Sequence, residues 1–81
     1  MENGSAFTDL VEYIVKSIVD NPDQVTVSQH DEGATVMIEV TVSESDMGRV
    51  IGRGGSVVTS IRSLVQVLAA KQGKRVTLEI I

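Results

Sequence analysis

Apolar side chains at Phe7, Leu10, Val11, Ile14, Val15 and Ile18 recur every three or four residues, the spacing that gathers them on one face of a helix over about 7–20. Ser5 or Thr8 is the candidate N-cap, and Asn21-Pro22 supplies the stop. The period then changes. Val25-Thr26-Val27-Ser28 alternates, Asp31-Glu32-Gly33 carries turn chemistry, and Val36, Ile38, Val40 and Val42 alternate with Thr35, Met37, Glu39 and Thr41. This predicts a β-hairpin with one buried face. Ser43 and Ser45 precede Asp46-Met47-Gly48-Arg49-Val50-Ile51, enough for one or two helical turns, and Gly52-Arg53-Gly54-Gly55 follows. From Ser56 to about Lys71 a longer helix is predicted, with Val57, Val58, Ile61, Leu64, Val65 and Leu68 as its apolar stripe and Gly73 as its C-terminal cap. Val76, Leu78 and Ile80 alternate with Thr77, Glu79 and Ile81 in a last strand.

The order is helix, strand, strand, helix, helix, strand, which predicts an α+β fold: a three-stranded sheet with three helices on one face. The two helices between the second and third strands are a long enough crossover for parallel pairing, so a mixed sheet is open and strand order is not fixed. With 81 residues the expectation is a single domain, 1–81, in which nearly every apolar side chain serves one core. Cysteine is absent, which removes disulfides, thiolate metal sites and cysteine nucleophiles. The longest apolar run is Val67-Leu68-Ala69-Ala70 and Met1-Glu2-Asn3-Gly4 is polar, so no membrane segment is expected and the location expected is cytoplasmic.

Charge changes the picture because it is uneven. Residues 1–46 hold ten acidic side chains against Lys16, a net −9, whereas 47–81 hold six basic side chains against Glu79, a net +5. An anion-binding half on an acidic body is one reading, and ordinary solvated faces are the other. The basic half contains the unusual local feature, Ile51-Gly52-Arg53-Gly54-Gly55. Three glycines in four positions cost backbone entropy, so they serve geometry. Without Cβ atoms a backbone can approach a phosphate, and the amides opening the next helix carry partial positive charge. Arg53 adds a full charge at the tip. A simple helix–helix turn would also use glycine. Other glycine motifs fail on spacing: five positions after Gly48 a Walker A loop needs glycine and Arg53 stands there, while a dinucleotide fingerprint from Gly52 needs glycine where Val57 stands.

The string Val50-Ile51-Gly52-Arg53-Gly54-Gly55-Ser56 before an aliphatic helix resembles the I-G-x-x-G signature of KH domains, whose GXXG loop clamps about four nucleotides. The element order looks like the bacterial, type II KH fold. Over essentially the whole chain, with Ser-Asp-Met-Gly-Arg-Val-Ile-Gly-Arg at 45–53, it resembles the small bacterial KH proteins of the KhpA (YlqC-like) family. The resemblance implies a cytoplasmic binder of single-stranded RNA, often described as an RNA chaperone, that pairs with itself and with a larger KH protein of the KhpB (Jag) type. In several members it is linked to cell shape, cell division and cell-wall homeostasis. Carried over, Gly52, Arg53, Gly54 and Gly55 form the phosphate clamp, Val50 and Ile51 line or support an aliphatic base groove, and Ser56 joins them among the RNA-binding residues.

Arg49 and Arg62 are candidates for longer-range attraction to the strand. Only Phe7 and Tyr13 are aromatic, so the ~1–3 kcal/mol per base available from stacking is largely missing, and two weak sites in a dimer would compensate. Opposite its apolar stripe the long helix carries Thr59, Ser60, Ser63, Gln66, Val67 and Ala70, a face almost without charge; Ser63, Gln66, Val67 and Ala70 are the candidate dimer interface. His30, the only histidine, is expected as a solvated residue near the hairpin turn, and no metal, cofactor or small-molecule substrate is expected. Asp31-Glu32 are turn acids without the common cleft that carboxylate catalysis needs, so no enzyme is expected. The alternatives are a protein-interaction domain that keeps the loop as structure, and a helix-turn-helix DNA reader, disfavoured because the second helix offers only Arg62 and Lys71 as charged groups.

Overall fold

The computed structural model describes residues 3–81, with side chains from Phe7 onward. Helix α1 spans Asn3–Ile18, β1 Thr26–Glu32, β2 Thr35–Thr41, α2 Met47–Ile51, α3 Ser56–Lys71 and β3 Arg75–Ile80. The sheet order is β1-β2-β3, with β1 antiparallel and β3 parallel to the central β2. The mixed sheet follows from the two-helix crossover between β2 and β3. Even positions of β2 and β3 (Val36, Ile38, Val40, Val76, Leu78) are buried under the helices, joined by Phe7, Val11 and Val15 of α1 and by Val58, Ile61, Val65 and Ala69 of α3. The opposite face of the sheet carries polar and charged residues, among them Ser28, Thr35, Glu39, Thr77 and Glu79.

Several boundaries differ from expectation for identifiable reasons. Helix α1 starts before residue 7, so Ser5 and Thr8 lie inside it; the Ser5 side chain is outside the described residues, and Thr8 Oγ1 donates to Gln29 Oε1 at 2.7 Å. The helix ends at Ile18 because Pro22 opens a separate 3-10 turn, Pro22–Gln24. Strand β1 continues through Asp31 and Glu32, and Gly33 (φ 67°) alone supplies the left-handed position of the reversal. His30 is therefore a strand residue opposite Met37, with Nε2 3.2 Å from Glu39 Oε1, not a turn residue. In α3, Leu64 leaves the expected stripe and is 55% exposed, while Ala69 takes an inward position.

Candidate nucleic-acid interface

Loop geometry begins with Asp46. The chain leaving β2 makes one 3-10 turn, Glu44–Asp46, and buries the Asp46 carboxylate, 1% exposed. Its Oδ1 accepts from the Asp20 amide at 3.1 Å, and its Oδ2 accepts from the Asn21 amide and the Asn21 side-chain amide, both at 3.1 Å. Burial pushes this carboxyl up, but hydrogen bonds from the Asp20 amide, the Asn21 side chain and the Asn21 amide, with the charge of Arg49, outweigh it and hold the group below its ordinary 3.8. Asp46 thereby ties the start of α2 to the end of α1. Arg49 adds a second tie, donating from one guanidinium nitrogen to Asp20 Oδ1 at 3.0 Å and to Ile18 O at 3.4 Å. Nothing local to Asp46 signals these contacts beyond an acid between a serine and an apolar turn, because its partners are two backbone amides and the Asn21 side chain, all more than twenty residues away.

From this brace α2 delivers Val50 into the core, fully buried, and leaves Ile51 36% exposed. The three loop glycines then play different parts. Gly52 sits at φ 78°, ψ 171°, and a Cβ there would lie 2.5 Å from Val57 Cγ2 and 2.7 Å from the Val57 nitrogen. That backbone is essentially glycine-only, and the contact lets the loop close onto the first turn of α3. Gly54 (φ 63°) and Gly55 (φ 81°) are also left-handed, but a Cβ at Gly54 would meet nothing within 4 Å. They form the open side of the loop. Gly55 is the N-cap of the 16-residue α3 with no side-chain capping bond, while the Gly55 amide donates to Gly52 O at 3.1 Å and the Ser56 amide to Arg53 O, closing a 3-10 turn at the start of the helix. The Arg53 side chain is exposed and makes no ion pair or hydrogen bond among the described residues.

The expected site residues thus fall into three groups. Arg53, Gly54, Gly55 and Ser56 come together as an accessible cationic loop; Gly52 and Val50 hold it up. Arg49 and Arg62 are engaged by the protein: Arg62 Nε donates to Leu78 O of the edge strand β3 at 3.1 Å. The candidate interface residues Ser63, Gln66, Val67 and Ala70 are all exposed on α3, yet Gln66 is not free, since its side-chain amide donates to Val76 O. Beside Val67, 61% exposed, stands Leu64, so this helix face is more apolar than the polar surface read from the sequence. Among the described residues no group of three His, Cys, Asp or Glu could hold a metal, and no helix is long and apolar enough to cross a membrane.

Residues 8–80 match the KhpA/KhpB, KH domain family. The chain is 49% identical over 72 residues to the RNA-binding protein KhpA of Halalkalibacterium halodurans, covering 89% of this chain and 95% of that one. It is 45% identical over 73 residues to the RNA-binding protein KhpA of Caldanaerobacter subterraneus subsp. tengcongensis, covering 90% and 97%. To the protein of that name in Aquifex aeolicus it is 40% identical over 77 residues, covering 95% and 98%. No solved structure matches the chain. A match across nearly the whole of both lengths, on a helix-strand-strand-helix-helix-strand fold with a glycine loop between its last two helices, places this chain in the KhpA/KhpB KH-domain family.

Proposed function

We propose that the chain is a single KH domain that binds single-stranded RNA, with the Gly52–Gly55 loop clamping the strand's backbone. The observation that carries this reading is the division of labour in the loop: Gly52 admits no side chain and fixes the loop, while Gly54 and Gly55 leave its outer side bare beside an unpaired Arg53 side chain and a start of α3 that no side chain caps. Phosphate oxygens fit those donors: backbone N–H groups at a helix N-terminus and a guanidinium able to hydrogen-bond two oxygens at once. Bases then pass toward Ile51 and the α3 side of β3. Relatives that carry the name RNA-binding protein agree with this class of ligand. The role is binding rather than catalysis, in the cytoplasm, as an RNA chaperone or post-transcriptional regulator of the kind linked to cell shape, division and cell-wall homeostasis.

A titration of fluorescent single-stranded RNA tests the clamp. Native protein should bind with a log–log salt slope of about −0.7 per neutralised phosphate, and the folded Arg53→Asp, Gly54→Asp double variant should lose binding. Equal binding by both would remove the loop from the site. A second reading, a protein-interaction domain with little RNA affinity of its own, is favoured by exposed Leu64 and Val67 on α3. In our reading this face, with Ser63, Gln66 and Ala70, pairs two copies of the chain or one copy with a larger KhpB/Jag-type protein, and the pairing adds avidity to weak single sites. Ser63→Glu with Val67→Glu should reduce the sedimenting mass to that of a monomer; an unchanged mass would exclude the face.

A further inference from the structure

The C-terminal end of α3 holds a second cluster of positive charge that the clamp does not use. Lys71 stands on the last turn of α3, Lys74 in the turn that follows, and Arg75 at the first position of β3. A concavity of about 280 Å³ lies there, lined by Ala34, Thr35, Gly73, Lys74 and Arg75. The three cations are not consumed by the fold. The ion pairs among the described residues are Lys16–Glu12, His30–Glu39 and Arg49–Asp20, none of which involves them. Glu32, across Thr35 in register, and Glu79, farther along β3, form no ion pair with them. Nor are they needed to cap the helix: Ala69 O accepts from the Gln72 and Lys74 amides at 3.0 and 2.9 Å, and Ala70 O from the Gly73 amide at 3.1 Å. The larger concavity, about 370 Å³ over Asp9, Glu12, Tyr13, Lys16 and Ser17, lies on one face of α1 and carries the opposite net charge.

Chain direction relates this cluster to the loop. Strand β3 runs back along α3, as the Gln66–Val76 and Arg62–Leu78 contacts show. The seam between helix and edge strand, bridged by Arg62 and Gln66, therefore leads from the Gly52–Gly55 loop at one end to Lys74 and Arg75 at the other. Sixteen helical residues make α3 about 24 Å long. At the ~3.4 Å per nucleotide of a stacked strand, that is about seven nucleotides, more than the four a GXXG loop clamps. We propose that Lys71, Lys74 and Arg75 form a second phosphate-binding site, which holds the RNA strand after it has left the Gly52–Gly55 clamp. This rests on the RNA reading above and extends it: the chain measures strand length, and short oligonucleotides engage only half of its cationic surface.

The test compares a tetranucleotide with a 12-nucleotide single-stranded RNA of the same composition, using amide NMR shifts and salt-dependent affinity. In native protein both should shift the Gly54, Gly55 and Ser56 amides, and only the 12-mer should shift those of Gly73, Lys74 and Arg75. Lys71→Gln, Lys74→Gln, Arg75→Gln changes three side chains outside the core; native-like amide dispersion shows that it is folded. Its 12-mer salt slope should be shallower by about 2, and its affinity at 0.1 M salt lower by up to about a hundredfold. Its tetranucleotide binding should be unchanged, and Lys71→Arg, Lys74→Arg should behave as native. An unchanged 12-mer slope overturns the second site. Equal losses for tetramer and 12-mer also overturn it, since the charges would then act as a general field. If native protein shows no salt-dependent shifts at the clamp with either RNA, the RNA reading itself falls, and the second site with it.

Discussion

The two ends of α3 are both built on left-handed glycines, but a glycine lies in close contact with the helix at only one of them. At the C-terminus Gly73 (φ 69°) closes a Schellman turn whose amides satisfy Ala69 O and Ala70 O. At the N-terminus Gly55 caps the helix without a side-chain bond, the Gly55 and Ser56 amides donate to Gly52 O and Arg53 O, and Gly52 is pressed against Val57. Where the chain merely has to reverse, its glycine stands clear of other atoms; where a ligand is proposed, one glycine is pressed onto the helix. Substitution at matched glycines tests this directly. Gly52→Ala should cost roughly 2–4 kcal/mol in urea unfolding, because it adds the clash with Val57 to a glycine-only backbone. Gly73→Ala should cost about 1–2 kcal/mol, the left-handed penalty alone, since nothing lies within 4 Å of its Cβ. Equal costs would mean that the Gly52 contact relaxes freely and does not fix the loop.

The next effect in size falls on the brace behind the loop. Asp46→Asn keeps the shape but loses the charge that three N–H donors converge on. We expect thermal unfolding to occur at least several degrees lower at neutral pH, with the Gly52–Ser56 amides broadened. The pH dependence has a defined sign. The Asp46 carboxyl is held below its ordinary 3.8 in the folded chain, so its contribution is complete above that value and fades as pH falls through the lower folded value. The native and Asp46→Asn curves should therefore converge toward acid pH. A constant gap would show that the loss comes from packing rather than from the ionised group.

These contrasts also mark what the sequence could and could not reveal. Helix α3 and its Gly73 cap were legible because periodicity and a lone glycine carry them, and Val36, Ile38 and Val40 alternate as a buried strand should. The loop was legible because three glycines around an arginine have few uses. Misread positions have long-range causes. Asp31 and Glu32 look like turn residues locally, but pairing with Val36 and Thr35 draws them into β1. Arg49 and Arg62 look like free cations until Asp20 and Leu78 O arrive beside them from elsewhere in the chain. Leu64 fits the apolar stripe by period, yet its direction on α3 points it to solvent. Composition identifies which side chains want burial or a partner, and tertiary contact decides which obtain one.

The smallest expected effect probes the paired end of α3 from the side-chain level. Gln72, the C-cap residue, has its Oε1 buried with no hydrogen-bond partner among the described residues. A buried acceptor left unmade costs more than an apolar group of the same shape, so Gln72→Met should be neutral or stabilise by up to about 1 kcal/mol, a rise in Tm of about 4–8 °C at most. The substitution leaves the Gln72 amide bond to Ala69 O intact, because that bond belongs to the backbone. A drop in Tm would show that Oε1 finds a donor in solution, and the C-terminal end would then depend on a side chain as well as on its backbone turn. An unchanged or higher Tm leaves Gly73 and the backbone amides as sufficient to close this end, as Gly52 O and Arg53 O close the turn at the other.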